Sequence, residues 1–315
     1  MGLLGRTANG LFWMSRYLER AENIARLVDA GFRMSLIRQG GTQEDWGGVL
    51  ESAGVREVYG EKSDGVPGAD AIDFLMRDKS NPSSVINCIE NGRNNARMVR
   101  TALTRESWEA VNESWLQLAQ ILSKKITHAT LPDLIDLIKV RIGLMRGTFS
   151  GTQLRDEIYN FAMLGSFIER ADNTARILDV KYYVLLPSLL HVGGSIDNFH
   201  WQSILRSVSA YRSYSWVYET EYKAANIAHF LILNRRMPRS LAFCYEAINS
   251  NLAHLARDYK GQIPAHQTAA RTRNMLLTAS IDEIMESGLH EYLEDFIISN
   301  DKLASEITDG YRFYK

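Results

Sequence analysis

A twelve-residue segment occurs twice in this 315-residue chain, and its two copies lie 150 residues apart. The first copy, LERAENIARLVD, covers residues 18–29, and the second, IERADNTARILD, covers residues 168–179. After the first residue, seven of the eleven positions are identical. The period is far longer than the unit of about 20 to 50 residues in a solenoid. The repeat therefore predicts a single domain, residues 1–315, made of two related halves at about 1–150 and 151–315.

Both copies lie in long stretches with helical periodicity. Between residues 9 and 34, apolar side chains recur every three or four positions, at Leu11, Met14, Leu18, Ala21, Ala25, Val28 and Phe32. Such spacing places them on one face of an α-helix. A second long helix is predicted over 154–186, where Pro187 ends it. Because the chain contains only six prolines, long uninterrupted helices are expected throughout.

Most of the remaining sequence is also predicted to be helical, and the starts of several helices can be recognised. Capping residues, or prolines suited to a first turn, predict starts near Asn81–Ser84, Thr104, Pro132, Ser195 and Pro238. Residues 266–307 predict two further helices. No turn sequence joins two alternating apolar runs in the way of a β-hairpin. The sequence thus predicts an all-α, multi-helix bundle in which each half contains a long central Glu-Arg helix.

Composition limits the classes of function. The chain carries 36 Lys and Arg against 37 Asp and Glu, a formal net charge of -1, and its pI is about 6.7. A near-neutral chain lacks the basic footprint of proteins that bind nucleic acids or anionic membranes. The longest apolar stretch is broken by Pro187 and is far shorter than the ~20 residues that span a bilayer. We therefore expect neither nucleic-acid nor membrane partners.

The chain has two cysteines, Cys88 and Cys244, and each lies among apolar residues. Such cysteines are typical of buried, reduced thiols in a reducing compartment. No charged-then-apolar segment of a secretion signal opens the sequence. These observations predict a cytoplasmic protein.

The repeated segment carries a polar stripe. Glu19, Asn23 and Arg26 are spaced by four and three residues, so they share one face of the predicted helix, and Arg16 joins its edge. The flanks of this face are apolar. A helix that is apolar on most sides with a narrow charged stripe is typical of a central bundle helix that buries polar groups.

The second copy repeats the stripe at the same offsets. If the halves pack about a pseudo-twofold axis, the two stripes face each other across the bundle and gather glutamates, asparagines and arginines in one partly buried place. The candidate residues of this network or pocket are Arg16, Glu19, Arg20, Asn23, Arg26, Glu169, Arg170, Asn173 and Arg176.

Two main interpretations of these residues stay open. In the first, the stripes form a structural network, since buried charges must be paired and such pairs fix the register of helices. In the second, the stripes form a ligand site. Arg26 and Arg176 then bind a carboxylate or phosphate, and the glutamates orient them or contact an amine.

A metal centre is the weakest interpretation. Helical di-iron sites use Glu-x-x-His, whereas the residue three positions after Glu19 is Glu22 and the one after Glu169 is Asp172. Acidic pairs of this kind leave only weak Mg²⁺ binding open. We predict no metal and no cofactor.

Other candidates are weaker, and no catalytic motif is visible. Asn94 and Arg97 lie in a faint third echo of the repeat, and Arg239 belongs to a short basic cluster at a helix start that is suited to an anion. The sequence has no Gly-x-Ser-x-Gly elbow, P-loop or Gly-x-Gly-x-x-Gly, and its histidines are scattered. The sequence therefore leans away from an enzyme.

The chain resembles the bacterial alpha-E family, a predicted α-helical domain of unknown function named for its Glu-Arg motif. The resemblance is carried by the opening block from Gly5 to Arg26 and by a second Glu-Arg block from Arg155 to Asp172. Further similar blocks are Asn81–Ser84, Ala96–Arg100 and Phe230–Ser240. The sequence departs from the family at Gly92, where the family tends to have a bulky residue.

The resemblance implies a functional context. Alpha-E proteins are typically encoded with, or fused to, a circularly permuted ATP-grasp ligase and a transglutaminase-like protease, which makes both expected partners. The preferred hypothesis is a helical accessory protein that binds the ligase or presents its peptide or amino-acid substrate. The alternatives are an enzyme that uses the Glu/Arg stripes for acid–base chemistry and anion binding in amide or acyl-phosphate chemistry, and a purely structural homo-oligomer.

Overall fold

The structure of the chain is a computed structural model. It describes residues 3, 5–36, 46–60, 65–185, 195–219 and 221–314. Within these ranges, the regular structure is fifteen α-helices and a short 3-10 helix, without β-strands, which confirms the all-α prediction. In the same part of the chain, no helix is long and apolar enough to cross a bilayer.

The first seven helices precede the second copy of the repeat. They are α1 (Gly5–Ser35), α2 (Gly47–Ser52), α3 (Arg56–Tyr59), α4 (Gly68–Met76), α5 (Val85–Met98), α6 (Arg105–Leu122) and α7 (Leu131–Thr152). The other eight are α8 (Glu157–Leu185), α9 (Ser195–Ser207), α10 (Tyr211–Tyr218), α11 (Ala224–Ile232), α12 (Leu241–Asp258), α13 (Pro264–Thr278), α14 (Ile281–Ser287) and α15 (Leu289–Gly310).

Three predicted helix starts are confirmed by hydroxyl caps. The side chains of Ser84, Thr104 and Ser240 accept hydrogen bonds from backbone N–H groups three residues later, at 3.4, 3.2 and 3.0 Å. These caps satisfy donors that have no partner inside the helix. The two long helices are also confirmed as α1 and α8, while the predicted stop at Pro187 lies outside the described residues.

The C-terminal region contains three helices, where two were predicted. The segment divides into α13, α14 and α15, and the boundary between the last two is Gly288, whose φ is 108°. This left-handed conformation ends α14 and is readily adopted only by glycine. Helical periodicity alone does not indicate this boundary, because the apolar pattern continues on both sides of it.

Helices α1 and α8 pack directly against each other and run parallel. Contacts advance together along both helices: the backbone N–H of Leu3 donates to Glu157 Oε2 at 2.9 Å, and farther along Asn173 Nδ2 donates to the carbonyl oxygen of Asn23 at 3.4 Å. Between these points, Gly165 lies against the backbone of Phe12. The two copies of the repeat therefore lie side by side.

Each of these two helices has its own surrounding helices. Helix α1 packs on α5 and α7, with α6 against both, and α8 packs on α12 and α15, with α13 against both. As a result α1 is buried on nearly all sides, as the apolar pattern around its polar stripe predicts. The assignment of the whole chain to two related halves stays a prediction.

Gly165 sets the distance between the central helices. A Cβ atom there would overlap the carbonyl oxygen of Phe12, which belongs to the backbone of α1 and cannot turn aside. We expect Gly165→Ala to lower the free energy of unfolding by about 1 to 3 kcal/mol, since the helices must separate to make room. Urea unfolding followed by circular dichroism measures this change.

Gly147→Ala is the matched control. Gly147 is also inside a helix, α7, but it is exposed and a Cβ there meets nothing within 4 Å. We expect this substitution to raise the free energy of unfolding by roughly 0.5 to 1 kcal/mol, because alanine is the better helix former. Equal effects of the two substitutions would contradict the close approach at Gly165.

Candidate functional site

The two Glu-Arg dipeptides bind each other crosswise between α1 and α8. Arg20 donates from Nε and Nη2 to the carboxylate of Glu169 at 2.5 and 2.9 Å. Arg170 donates from Nε and Nη2 to the carboxylate of Glu19 at 2.9 and 3.0 Å. Both are bidentate pairs, the strongest geometry for arginine and carboxylate. Each Glu thus pairs with the Arg of the other copy.

The two asparagines of the repeat lie at the same crossing. Asn23 Nδ2 donates to the carbonyl oxygen of Glu169 at 3.1 Å, and Asn173 Nδ2 donates to the carbonyl oxygen of Asn23. The Oδ1 atoms of Asn23 and Asn173 are buried and have no hydrogen-bond partner among the described residues. The structure therefore brings the two polar stripes together and leaves two amide acceptors unsatisfied.

One group of charges surrounds Glu22; we call it the Glu22 cluster and define it as Glu19, Glu22, Arg26, Arg146, Arg170 and Arg239. Glu22 Oε1 accepts hydrogen bonds from Arg26 Nε and Arg239 Nη2, each at 2.9 Å. Arg146, on α7, reaches Glu22 and also lies 3.1 Å from Glu19. This cluster is densely filled by guanidinium groups from four helices or their flanks.

A second group surrounds Asp172; we call it the Asp172 cluster and define it as Arg16, Arg20, Glu169, Asp172 and Arg176. Arg16 Nε donates to Glu169 Oε2 at 2.9 Å, and Arg176 Nε donates to Asp172 Oδ2 at 2.7 Å. The side chains of Arg20 and Arg176 are 26% and 29% exposed. This cluster is more open than the Glu22 cluster.

Arg26 and Arg176 each also bind the C-terminal end of a neighbouring helix. Arg26 Nη1 donates at 2.6 Å to the carbonyl oxygen of Ser207, the last residue of α9. Arg176 Nη1 donates at 3.3 Å to the carbonyl oxygen of Ser52, the last residue of α2. Carbonyl groups at a helix end lack partners within the helix and attract cations. Both arginines therefore have structural tasks.

The two clusters together hold more positive than negative charge. Seven arginines face four carboxylates, Glu19, Glu22, Glu169 and Asp172, which leaves a formal charge of seven minus four, or +3. No group of three or more metal-binding side chains occurs among the described residues. An arginine-rich network of this kind is suited to anions.

The pKa values in the clusters follow from this charge balance. Burial alone raises the pKa of a carboxyl group, but the guanidinium groups outweigh it and hold the pKa values of Glu19, Glu22 and Glu169 well below their usual range. Conversely, burial together with Arg26 lowers the pKa of Arg239 to about 10. All of these groups are therefore charged at neutral pH.

Two cavities adjoin the clusters. A cavity of about 200 Å³ lies beside the Asp172 cluster, and the polar residues that line it include Arg20, Asn23, Glu169, Asp172, Asn173 and Arg176. A second cavity, of about 40 Å³, lies beside Glu19 and Arg146 and is mostly apolar. The first is about five times larger than the second and is lined by charged groups, so it is the better candidate for a ligand site.

A comparison with protein families identifies the family of this chain. The Alpha-E family model, described as a predicted alpha-helical domain with a conserved ER motif, matches residues 3–311. The chain belongs to the Alpha-E family. In this Alpha-E protein the dipeptide Glu-Arg occurs only at residues 19–20 and 169–170, the positions that bind crosswise. No curated protein and no solved structure matched the chain.

The sequence-predicted residues fall into two groups. All nine residues of the two stripes lie in or between the clusters. Of the weaker candidates, Arg239 is in the Glu22 cluster, buried against Glu22 and not at a solvated helix start. The structure does not bring Asn94 or Arg97 to the site: on α5, Asn94 is half-buried and Arg97 exposed, because the face of that helix that packs on α1 is formed by other residues, among them Gly92.

The Alpha-E site also contains residues that the stripes do not predict. Arg146 comes from α7 and has no repeat partner that would single it out. Glu22 and Asp172 are in the repeat, where their spacing suggests only weak Mg²⁺ binding. Their place three residues after each Glu, with an arginine four residues later, is a pattern that indicates an ion pair within the helix.

The crosswise pairs predict a large effect of removing one partner. Glu169→Gln leaves Arg16 and Arg20 without their carboxylate in a buried place, so we expect a loss of about 3 to 5 kcal/mol in the free energy of unfolding. The control is Glu109→Gln, which breaks an exposed pair with Arg105 and should leave stability unchanged. Thermal and urea unfolding compare the two, and a similar loss in both would contradict the network.

Acid should weaken the Alpha-E fold through the same carboxylates. The pKa values of Glu22 and Glu169 are about 2 in the folded chain, lowered from 4.5, so their contribution is complete above about pH 5. It is lost as the pH falls toward 2, by on the order of 3 kcal/mol for each group. Urea unfolding at a series of pH values should show this decline, with a shallower slope in Glu169→Gln; equal slopes would count against it.

Proposed function

We propose that this Alpha-E protein is a helical accessory protein of an amide- or peptide-bond system. In this role it binds a circularly permuted ATP-grasp ligase and holds the amino-acid or peptide substrate that the ligase uses, with a transglutaminase-like protein as the second partner. These partners are the ones that the family resemblance implies. The support from the structure concerns the substrate, because the site has the chemistry to hold a carboxylate.

The observation that carries the proposal is the excess of arginine beside an open cavity. Arg20 and Arg176 line the 200 Å³ cavity, and both side chains are partly exposed. Arginine is the residue best suited to bind carboxylates through paired hydrogen bonds. Amino acids and peptides both carry such a group.

The charge states favour binding over catalysis. A general acid or base works best with a pKa near the operating pH. In the clusters the pKa values of Glu19 and Glu169 are lowered, and burial raises the pKa of the neighbouring thiols of Cys88 and Cys244 to about 12. These groups keep one protonation state at neutral pH. They suit a holding role better than the alternative enzyme role.

The test is to purify the chain together with a circularly permuted ATP-grasp protein, the partner that the family resemblance implies. We expect the two to elute as one complex in size-exclusion chromatography, and the rate of ATP-dependent ligation to rise when the Alpha-E protein is added. The reason is that an accessory protein that delivers the substrate raises the local substrate concentration at the ligase. Light scattering gives the stoichiometry, and ADP release gives the rate.

A matched pair of variants connects this activity to the site. Arg176→Met and Arg33→Met each remove an arginine that is paired with an aspartate four residues earlier on a central helix. Only Arg176 lines the cavity. We expect Arg176→Met to lose most of the stimulation and Arg33→Met to keep it. Separate elution together with an unchanged ligation rate would refute the proposal.

A further inference from the structure

We infer that the cavity beside the Asp172 cluster is a binding site for a free α-amino acid, with its carboxylate on Arg20 and Arg176 and its ammonium group on Asp172 and the amide oxygens of Asn23 and Asn173. This inference rests on the proposed function and names its substrate class and site. The proposed ligand is a free amino acid, as distinct from a longer peptide or a simple anion.

The size of the cavity limits the ligand. Its volume is about 200 Å³. Pockets for drug-sized ligands measure about 300 to 1,000 Å³, so this cavity is suited to a smaller ligand. A single amino acid is of suitable size.

Unused donors are available for the carboxylate. Arg20 binds Glu169 through Nε and Nη2, and its Nη1 has no partner among the described residues. Arg176 uses Nε for Asp172 and Nη1 for Ser52, and in the described part of the chain its Nη2 is likewise without a partner. Both guanidinium groups line the same cavity. Together they offer a carboxylate two positively charged donors.

Unused acceptors are available for the ammonium group. Asn23 and Asn173 are only 3% and 5% exposed, and their unpartnered Oδ1 atoms belong to residues that line the cavity. The amide orientations are fixed, because each Nδ2 faces a backbone carbonyl oxygen, which only accepts. An ammonium group has three donors and no acceptor, so it complements these oxygens and the carboxylate of Asp172.

The free arginine donors and the free acceptor oxygens together favour a zwitterion as the ligand. A simple anion such as phosphate satisfies the arginines but leaves the amide oxygens unpaired and is repelled by Glu169 and Asp172. A simple cation is repelled by Arg20 and Arg176. The three arginines and two carboxylates of the Asp172 cluster leave a formal charge of three minus two, or +1. Among zwitterions, this favours an acidic amino acid such as glutamate.

The residues that precede α5 and α12 explain why the cavity is open beside Asp172 while the space beside Glu22 is filled. Helices α5 and α12 begin after Pro82-Ser83-Ser84 and Pro238-Arg239-Ser240, with the final serine as the cap in each. On the α12 side, Arg239 lies buried against Glu22. On the α5 side the corresponding residue is Ser83, which lines the cavity. The short side chain of Ser83 leaves space at the start of α5, whereas at the start of α12 the guanidinium group of Arg239 fills it.

The experiment is isothermal titration calorimetry of the full chain with four probes. The probes are L-glutamate, glutarate, which lacks the ammonium group, 4-aminobutyrate, which lacks the α-carboxylate, and inorganic phosphate. We expect glutamate to bind at least tenfold more tightly than each of the others, because glutarate and phosphate have no ammonium group and 4-aminobutyrate does not carry its ammonium and carboxylate groups on the same carbon. Equal or tighter binding of glutarate or phosphate would overturn the inference in favour of a simple anion site.

Variants locate the binding in this cavity. We expect Arg176→Met and Ser83→Arg to weaken glutamate binding at least tenfold, the first by removing a donor and the second by filling the cavity, while Arg33→Met binds as the unmodified chain does. Thermal unfolding confirms that each variant is folded. If Arg176→Met does not fold, Ser83→Arg decides the test, since it removes no existing ion pair. Unchanged binding in Ser83→Arg places the ligand elsewhere and overturns the inference.

The result is separable from the proposed function. Glutamate binding without association with the ligase would refute the accessory role and leave the amino-acid site standing. Association with the ligase and a faster ligation rate, with no binding of any probe, would refute the amino-acid site alone. Failure of both would refute both.

Discussion

The exchange of Glu-Arg pairs between α1 and α8 is the interaction on which the rest of the structure depends. Neither helix can bury its own glutamate, since Glu19 finds its bidentate partner only on α8 and Glu169 finds its partner only on α1. Removing such charges from water costs several kcal/mol for each ion, so the pairs specify a register more than they add stability. The parallel packing, the contact at Gly165 and the places of the surrounding helices all follow from this register.

The same repeat supports two different environments. Around Glu22, arginines from α7 and from the start of α12 fill the space. Around Asp172 the side chain is one carbon shorter, the corresponding position is Ser83, and a polar cavity opens. A duplicated element can thus keep one copy for structure, while the other copy becomes available for a ligand.

The sequence predicts this architecture where the information is local or repeated. The periodicity of α1 and α8 and the capping hydroxyls were sufficient to predict the two long helices and several helix starts. The repeat singled out the two polar stripes, but their meeting depended on the condition that the two halves pack together. Arg146 and the cavity were not predictable, because they depend on which helix packs beside the stripe. Arg97 shows the reverse error: its spacing matches the repeat, yet the exposure of a residue is decided by tertiary packing and not by spacing.

The separation of the paired residues along the chain has a consequence for how the protein is made. Glu19 and Arg170 are 151 residues apart, so α1 leaves the ribosome long before the helix that neutralises its charges. Until α8 is synthesised, α1 must stay in contact with water or with a chaperone, and folding must close a very long loop before the central contacts form. Contacts of such high sequence separation slow folding. The central pair can therefore form only after the whole segment between its two helices has been synthesised.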